Sequence, residues 1–244
     1  MTGGVAVERG AKLYEGKAKV IYATADPQVV WMEFKDEATA FNGQKRGTIA
    51  GKGAVNARIT GLVFEKLAAA GIPNHLVQQL SERVLLTRRV QIIPLEVVVR
   101  NIAAGSLTKR LGLAEGTKLP APVLEFYYKN DDLGDPFVND SHIAVLQLAT
   151  PEQLQALCAY SRRINEILVP YFAAAGLELV DCKLEFGTAD GEIMLADEIS
   201  PDTCRFWDLT TGEKLDKDRF RRDLGNVAEA YQEVLMRLER GTAL

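Results

Sequence analysis

A chain of 244 residues, 47% hydrophobic and 25% charged, has the composition of a soluble globular protein with room for one large domain or two smaller ones. Its 29 basic and 33 acidic side chains leave a net charge of −4, which argues against a nucleic-acid surface with its usual basic excess. The first residues lack the apolar core of a signal peptide, and no run approaches the ~20 apolar residues of a membrane span. Cys158, Cys182 and Cys204 are odd in number, widely spaced and without a CxxC pair, so they read as reduced thiols of a cytosolic protein. The histidines, His75 and His142, are far apart in sequence, which disfavours zinc.

In chain order, residues 12–22 (KLYEGKAKVIY) predict two short strands around Glu15-Gly16. Lys17 and Lys19 alternate with Ala18 and Val20, so both ammonium groups project from one face. They suit a phosphate clamp; an exposed edge strand guarded by lysines is the plainer alternative. Residues 29–47 begin as a strand, turn polar at Lys35-Asp36 and pass into a loop over 39–43. Residues 51–71 predict a helix with an apolar stripe of Val55, Ile59, Leu62, Val63 and Leu67, stopped by Gly71-Ile72-Pro73. His75 follows in a turn, structural or exposed. Residues 83–100 hold two strand-like runs, and a boundary between lobes is placed near Thr87–Val90, giving a β-rich unit over 1–88 and a mixed α/β unit over 89–244.

Arg100 and Ser106 bracket Asn-Ile-Ala-Ala-Gly, where small residues let backbone amides approach an anion and arginine offers a bidentate fork. A strand-to-helix turn capped by Ser106 is the alternative. Residues 123–142 predict a strand ending at Lys129 and then an acidic loop whose spacing does not match a calcium-binding EF-hand. In that loop Asp140 and His142 are expected to satisfy backbone groups of the turn. Thr150-Pro151-Glu152-Gln153 predicts a helix start; Leu154, Leu157, Ile164, Ile167 and Leu168 its buried stripe; Pro170 a kink or break. A final helix is predicted from about Asp216–Asp218, with Phe220, Leu224, Val227, Tyr231, Leu235 and Leu238 inward. Lys217 and Arg221 share a face at its start, where cations oppose the helix dipole unless they meet an anion.

The stretch 180–208 carries the densest chemistry. Asp181, Lys183 and Glu185 alternate with Val180, Cys182, Leu184 and Phe186, a strand with one charged and one apolar face. A three-residue loop, Ala189-Asp190-Gly191, would place Lys183 opposite Asp197, with Glu185 and Asp197 on the polar face. Carboxylates and lysine so arranged suit a divalent cation and a polyphosphate; a solvated face of weak ion pairs is the plainer reading. Glu198, Asp202, Arg205 and Asp208 continue the charge around a Ser-Pro turn, which favours a site.

With these segments together, the chain resembles the SAICAR synthetases, the phosphoribosylaminoimidazole-succinocarboxamide synthases of purine biosynthesis. The resemblance runs from Leu13 to the final helix. It rests on 13–22 (LYEGKAKVIY), 35–43 (KDEATAFNG), 92–106 (IIPLEVVVRNIAAGS), 179–187 (LVDCKLEFG), 196–208 (ADEISPDTCRFWD) and 216–225 (DKDRFRRDLG), in that order. Cys182 departs from the bulky apolar residue often found there. The first ten residues have no counterpart to use.

The resemblance implies an α+β fold similar to ATP-grasp and kinase lobes, with ATP between a small N-terminal and a larger C-terminal lobe. It also implies condensation of carboxyaminoimidazole ribotide (CAIR) with L-aspartate to give SAICAR, ADP and phosphate, through an acyl phosphate. Carried over residue by residue, Lys17, Ala18, Lys19 and Lys129 contact ATP, and Glu185 and Asp197 hold Mg2+. Arg100, Ser106, Asp181, Arg205, Lys217 and Arg221 bind CAIR, while Lys183 and Asp181 serve the reacting groups. Asp36 and the 36–43 loop are placed over L-aspartate, and a homodimer without nucleic-acid or membrane partners is expected. A small-metabolite kinase on the same scaffold and a nucleotide-binding regulator without chemistry are the alternatives. Retention of Lys17, Lys183, Glu185 and Asp197 argues against the regulator.

Overall fold

The computed structural model describes residues 7–40 and 43–242. The N-terminal part is an antiparallel sheet of β1 (Lys12–Glu15), β2 (Lys19–Ala23), β3 (Val29–Phe34), β6 (Leu76–Ser81) and β7 (Val84–Arg88), in the order β1-β2-β3-β7-β6. Between β3 and β6 the chain forms a separate hairpin, β4 (Glu37–Ala40) with β5 (Lys45–Thr48), and then helix α1 (Lys52–Ala69). Residues expected as a loop at Thr39 and Ala40 therefore belong to β4, paired with Arg46 and Lys45. Phe41 and Asn42 lie outside the described residues.

Arg89 and Val90 lead into a second sheet. Its strands are β8 (Gln91–Ile102), β9 (Lys118–Tyr128), β10 (Phe137–Val138), β11 (Leu177–Ala189), β12 (Glu192–Ala196) and β13 (Cys204–Asp208). The order is β10-β9-β8-β11-β12, and β13 pairs with the first half of β11 where β12 pairs with the second. Helices α2 (Ser106–Leu111), α3 (Asp140–Val145), α4 (Pro151–Ala174), α5 (Asp218–Arg221) and α6 (Val227–Thr242) complete the chain. Among the described residues no helix is long and apolar enough to cross a membrane.

Helix α1 joins the two sheets. Val55, Ile59, Val63 and Leu67 enter the main core with Leu95, Val97, Val99, Leu157, Ile164, Leu168, Leu184, Phe186 and Leu235. Ala57 packs instead against Met32, Phe34 and Leu85 of the first sheet. Burying this stripe, rather than helix propensity, holds α1 in place.

Three local expectations change around β11. The β11–β12 loop has two residues, because Ala189 pairs with Glu192, leaving Asp190 (φ 51°) and Gly191 (φ 81°) as the turn. Both left-handed conformers are what a two-residue hairpin matching strand twist requires. The ladder ends at Glu185 opposite Ala196, so Lys183 is not paired with Asp197; Asp197 turns out of the strand at φ 59°. Val180 leaves the expected apolar face, because the β11–β13 register slips between Leu179 and Asp181. It packs with Ile102, Ala104 and Trp207, while Cys182, Leu184 and Phe186 keep the main core.

Further along, α4 runs through Pro170 to Ala174 instead of breaking there, at the cost of the one backbone bond that the missing N–H cannot make. Its Thr150 cap, Pro151 and Gln153 capping box are as predicted. The last helix is instead two, separated at Asp223 (φ 57°), Gly225 (φ 73°) and Asn226 (φ 48°). Leu224 is exposed and Phe220 half-buried, whereas Tyr231, Leu235 and Leu238 reach the core as expected. A four-residue α5 has little dipole, which removes the helix-terminus argument made for Lys217 and Arg221.

Candidate active site

A cavity of about 740 Å³ opens between the sheets. Lys17, Ala18 and Lys19 line it from the β1–β2 turn, Lys129 from the end of β9, and Lys183 and Glu185 from β11. Asp197 and Glu198 enter after β12, and Lys217 and Arg221 from α5. Its remaining wall includes Ile21, Val30, Met32, His75 and the connecting Thr87–Val90 segment.

Carboxylates clasp nearly every lysine. Lys183 Nζ lies 2.6 Å from Glu185 and 2.9 Å from Glu96, and Lys129 Nζ lies 3.0 Å from Glu185. Glu96 and Glu185 stand directly opposite in the β8–β11 ladder, a repulsive pairing that these ammonium groups neutralise. Lys19 bonds to Asp197 and lies 2.9 Å from Glu198; Lys17 lies 2.7 Å from Asp131. Burial opposes the charges of Lys183 and Lys19, but the carboxylates outweigh it and raise both pKa values. Burial likewise works against Asp197, and Lys19 and Lys183 outweigh it, holding that carboxyl well below its ordinary range.

Lys217 differs. Its nearest carboxylate, Asp202, is 3.6 Å away, and burial, with Arg221 and Lys52 nearby, lowers its pKa. Asp202 itself is held by Lys52 at 2.6 Å and by the Tyr231 hydroxyl at 2.8 Å, tying α1 and α6 to the cavity.

The second group lies beside this cavity rather than in its lining. Asp181 Oδ2 accepts from Arg100 Nη1 at 2.9 Å and from Arg205 Nη1 at 2.8 Å. Arg100 also donates to Glu125 at 2.7 Å and to Ser106 at 3.0 Å. Arg205 Nε donates to Asp218 at 3.0 Å, and Arg221 meets the other oxygen of Asp218 at 2.6 Å, so Arg221 belongs to both groups. Burial opposes both buried guanidiniums, and Asp181 with its neighbours restores and raises their pKa values. Gly105 (φ 58°) passes so close that a Cβ there would fall on the Arg205 guanidinium. Gly105, not Ser106, is the N-cap of α2; Ser106 is free to face Arg100 and Tyr127.

Several partners were missed in the sequence. Glu96 shares the Val98–Arg100 face of β8, and Glu125 and Tyr127 alternate with core Leu124 and Phe126 on β9; period-2 counting would have found them. His75 carried no signal. It is buried, the structural one of its two readings; its Nε2 has no hydrogen-bond partner among the described residues, and burial lowers its pKa to about 4. Two expected members are elsewhere. Asp36 accepts from Gly53 N at 2.8 Å and Arg83 at 2.6 Å, securing the start of α1. Asp208 holds Arg237 at 2.8 Å and the turn after β13. In the acidic loop, Asn139 caps α3 and the His142 ring accepts from its amide, as expected of His142.

Among the described residues no three His, Cys, Asp or Glu side chains group to form a closed metal cage. Glu185 and Asp197 fit a hard cation that completes its shell with phosphate oxygens and water. Nine predicted residues thus line one cavity and four form the adjoining arginine cluster: cationic side chains, backed by carboxylates, suited to gathering several anions.

A family model described as SAICAR synthetase matches residues 12–238. A Brevibacillus brevis protein named phosphoribosylaminoimidazole-succinocarboxamide synthase is 63% identical over 95% of this chain and 98% of its own length. The crystal structure of phosphoribosylaminoimidazole-succinocarboxamide synthase from Ehrlichia chaffeensis superposes with a TM-score of 0.91 at 48% identity, covering 93% of this chain and 98% of that one. A SAICAR synthetase solved in complex with ADP gives a TM-score of 0.89 at 48% identity, covering 92% and 96%. The chain belongs to the SAICAR synthetase family.

Proposed function

We propose that the protein condenses CAIR with L-aspartate at the expense of ATP, releasing SAICAR, ADP and phosphate. The carrying observation is the continuity of the two charged groups through Arg221 and Asp218, which sets a polyphosphate cavity beside an arginine cluster fit for a phosphorylated carboxylic acid. The relative solved with ADP supports nucleotide binding in the same fold. The change of sheet between β7 and β8 supports a division into a nucleotide-binding lobe over 1–88 and a second lobe over 89–244.

A carboxylate resists amines because its leaving group would be oxide. Phosphoryl transfer to it creates an acyl phosphate, and the amine of aspartate displaces phosphate. Lys17, Lys19 and the backbone at Ala18 hold the ATP phosphates, and Lys129 approaches the nucleotide. Glu185 and Asp197 would hold Mg2+, which when bound would neutralise charge on the transferring phosphoryl group. Lys183 and Lys129, which pair with Glu185, stand where substrate oxygens would take their place, and Lys183 would neutralise the reacting carboxylate. Arg100, Ser106 and Arg205 receive the CAIR phosphate and carboxylate. Asp181 fixes both guanidiniums through Oδ2 and offers Oδ1 to the ribose or exocyclic amine. Lys217 and Arg221 add positive charge between the two groups. The working form is a cytoplasmic homodimer, as the resemblance implies.

The test is product release in purified protein with ATP and Mg2+. ADP should form only when CAIR is present, and SAICAR only when aspartate is added. ADP formation with CAIR but without any aspartate-dependent product would point to the kinase alternative and overturn the ligase.

A further inference from the structure

Cys182 on β11 and Cys204 on β13 are directly opposite one another in an antiparallel ladder. Lys183 N donates to Thr203 O at 2.8 Å, so the backbone bonds flank this cysteine pair instead of joining it. That is the non-hydrogen-bonded position, where Cα atoms lie ~4.5 Å apart and side chains stand closest. A disulfide accepts Cα separations of about 4.4–6.8 Å, so the pair sits within reach without backbone movement. Both side chains enter the same core, and both thiols are free. Burial and then the neighbouring Cys182 push the Cys204 thiol up, in keeping with two sulfurs in close company.

No step of the reaction uses either thiol. The strand bearing Cys204 is five residues long and lies at the sheet edge; its outer side carries an isolated bridge between Trp207 and Lys214. Such an edge opens locally at lower cost than the β8–β11 ladder behind it.

We propose that Cys182 and Cys204 are a peroxide-responsive pair that closes to a cross-strand disulfide. One sulfur attacks the O–O bond of hydrogen peroxide, giving a sulfenic acid and one water. The other sulfur displaces the sulfenic hydroxyl, forming the S–S bond and a second water. Two thiols thereby lose two electrons to one peroxide, and a dithiol reductant reverses the step. The bond ties the edge strand to β11 one ladder step from the Asp181–Arg205 pair. Burial raises the Cys182 thiol to about 12 and Cys204 as well, so the thiolate is scarce at neutral pH and closure quickens as pH rises.

The experiment uses the full-length Cys158→Ala protein, which retains two of the three thiols. The folded protein is treated with hydrogen peroxide at about pH 9, quenched with catalase, then unfolded in guanidinium with iodoacetamide and weighed. The expected result is loss of both alkylatable thiols, a mass lower by about 2 Da, a Cys182–Cys204 peptide in non-reducing digests of monomer, and recovery with dithiothreitol. Two alkylated thiols, a gain of about 32 Da from sulfinic acid without a linked peptide, or links only between chains would overturn it. The unsubstituted protein, monitored by circular dichroism, guards against a folding defect. It should show the same linked peptide with Cys158 still alkylated, and its absence there counts equally against the pair.

Discussion

Replacing Asp181 with Asn tests the arginine cluster at its centre. The substitution preserves shape but removes the negative charge that Arg100 and Arg205 share through bonds of 2.9 and 2.8 Å. Side-chain exposures of 4% for Arg100 and 5% for Asp181 leave little water to compensate. Removing one partner of a buried pair costs about 3–5 kcal/mol. Here each arginine keeps another carboxylate, Glu125 at 2.7 Å and Asp218 at 3.0 Å, which brings the expectation down. A loss of about 2–3 kcal/mol follows, or roughly 5–10 °C in melting temperature for a chain of this size. The variant's excess positive charge should then attract small anions. With a Kd of about 1 mM, sulfate at about 50 mM would return roughly 2 kcal/mol. Urea denaturation at neutral pH, with and without sulfate, measures both numbers against the unsubstituted protein. A loss under about 1 kcal/mol, with no added sulfate dependence, would refute the view of Asp181 as the counter-ion binding this cluster.

Three further outcomes are expected. Glu185→Ala should cut Mg2+-dependent turnover about 100-fold or more while circular dichroism stays unchanged, because Lys183 keeps Glu96; near-normal turnover would remove Glu185 from the metal site. Gly105→Ala should displace the Arg205 guanidinium and, like Arg205→Ala, raise the KM for CAIR by at least about tenfold with a smaller effect on ATP, and equal losses for both substrates would place Arg205 elsewhere. His75, lowered by burial from 6.5 to about 4, is neutral in the fold and gains a proton more readily unfolded. Its contribution is therefore present above about pH 6.5 and lost as pH falls through about 4, roughly 3 kcal/mol in all. Metal-free denaturation curves across that window should differ in slope between the unsubstituted protein and His75→Asn by up to one proton, about 1.4 kcal/mol per pH unit, on top of the opposing titration of buried Asp216; identical slopes would refute the assignment.

The alternation of Asp181, Lys183 and Glu185 made the charged face of β11 legible, since the period of a strand needs only neighbouring residues. The apolar stripe of α1 and the Thr150 capping box were legible for the same reason. What failed was set by single backbone positions or by distant chain. The slip beside Val180 and the left-handed turn at Asp197 depend on how β13 and β12 dock on β11, which no local pattern records. The break before α6 had a signal, since Asp223, Gly225 and Asn226 all tolerate positive φ. The helical spacing of Phe220 and Leu224 masked it. Asp36 illustrates the other limit: an acidic residue beside a cavity-lining hairpin reads as a substrate contact, yet its oxygens are taken by the amides opening α1 and by Arg83. Asp218 became recognisable only once α5 docked beside β13 and brought it to Arg205.

The most direct measurement is a crystal structure with a non-hydrolysable ATP analogue, Mg2+ and CAIR bound together. The expected density shows a cation ligated by Glu185 and Asp197 against the nucleotide phosphates, with Lys17 and Lys19 on those phosphates and the ribotide in the grip of Arg100, Ser106 and Arg205. Density placing the ribotide away from those arginines, or the cation away from both carboxylates, would contradict it.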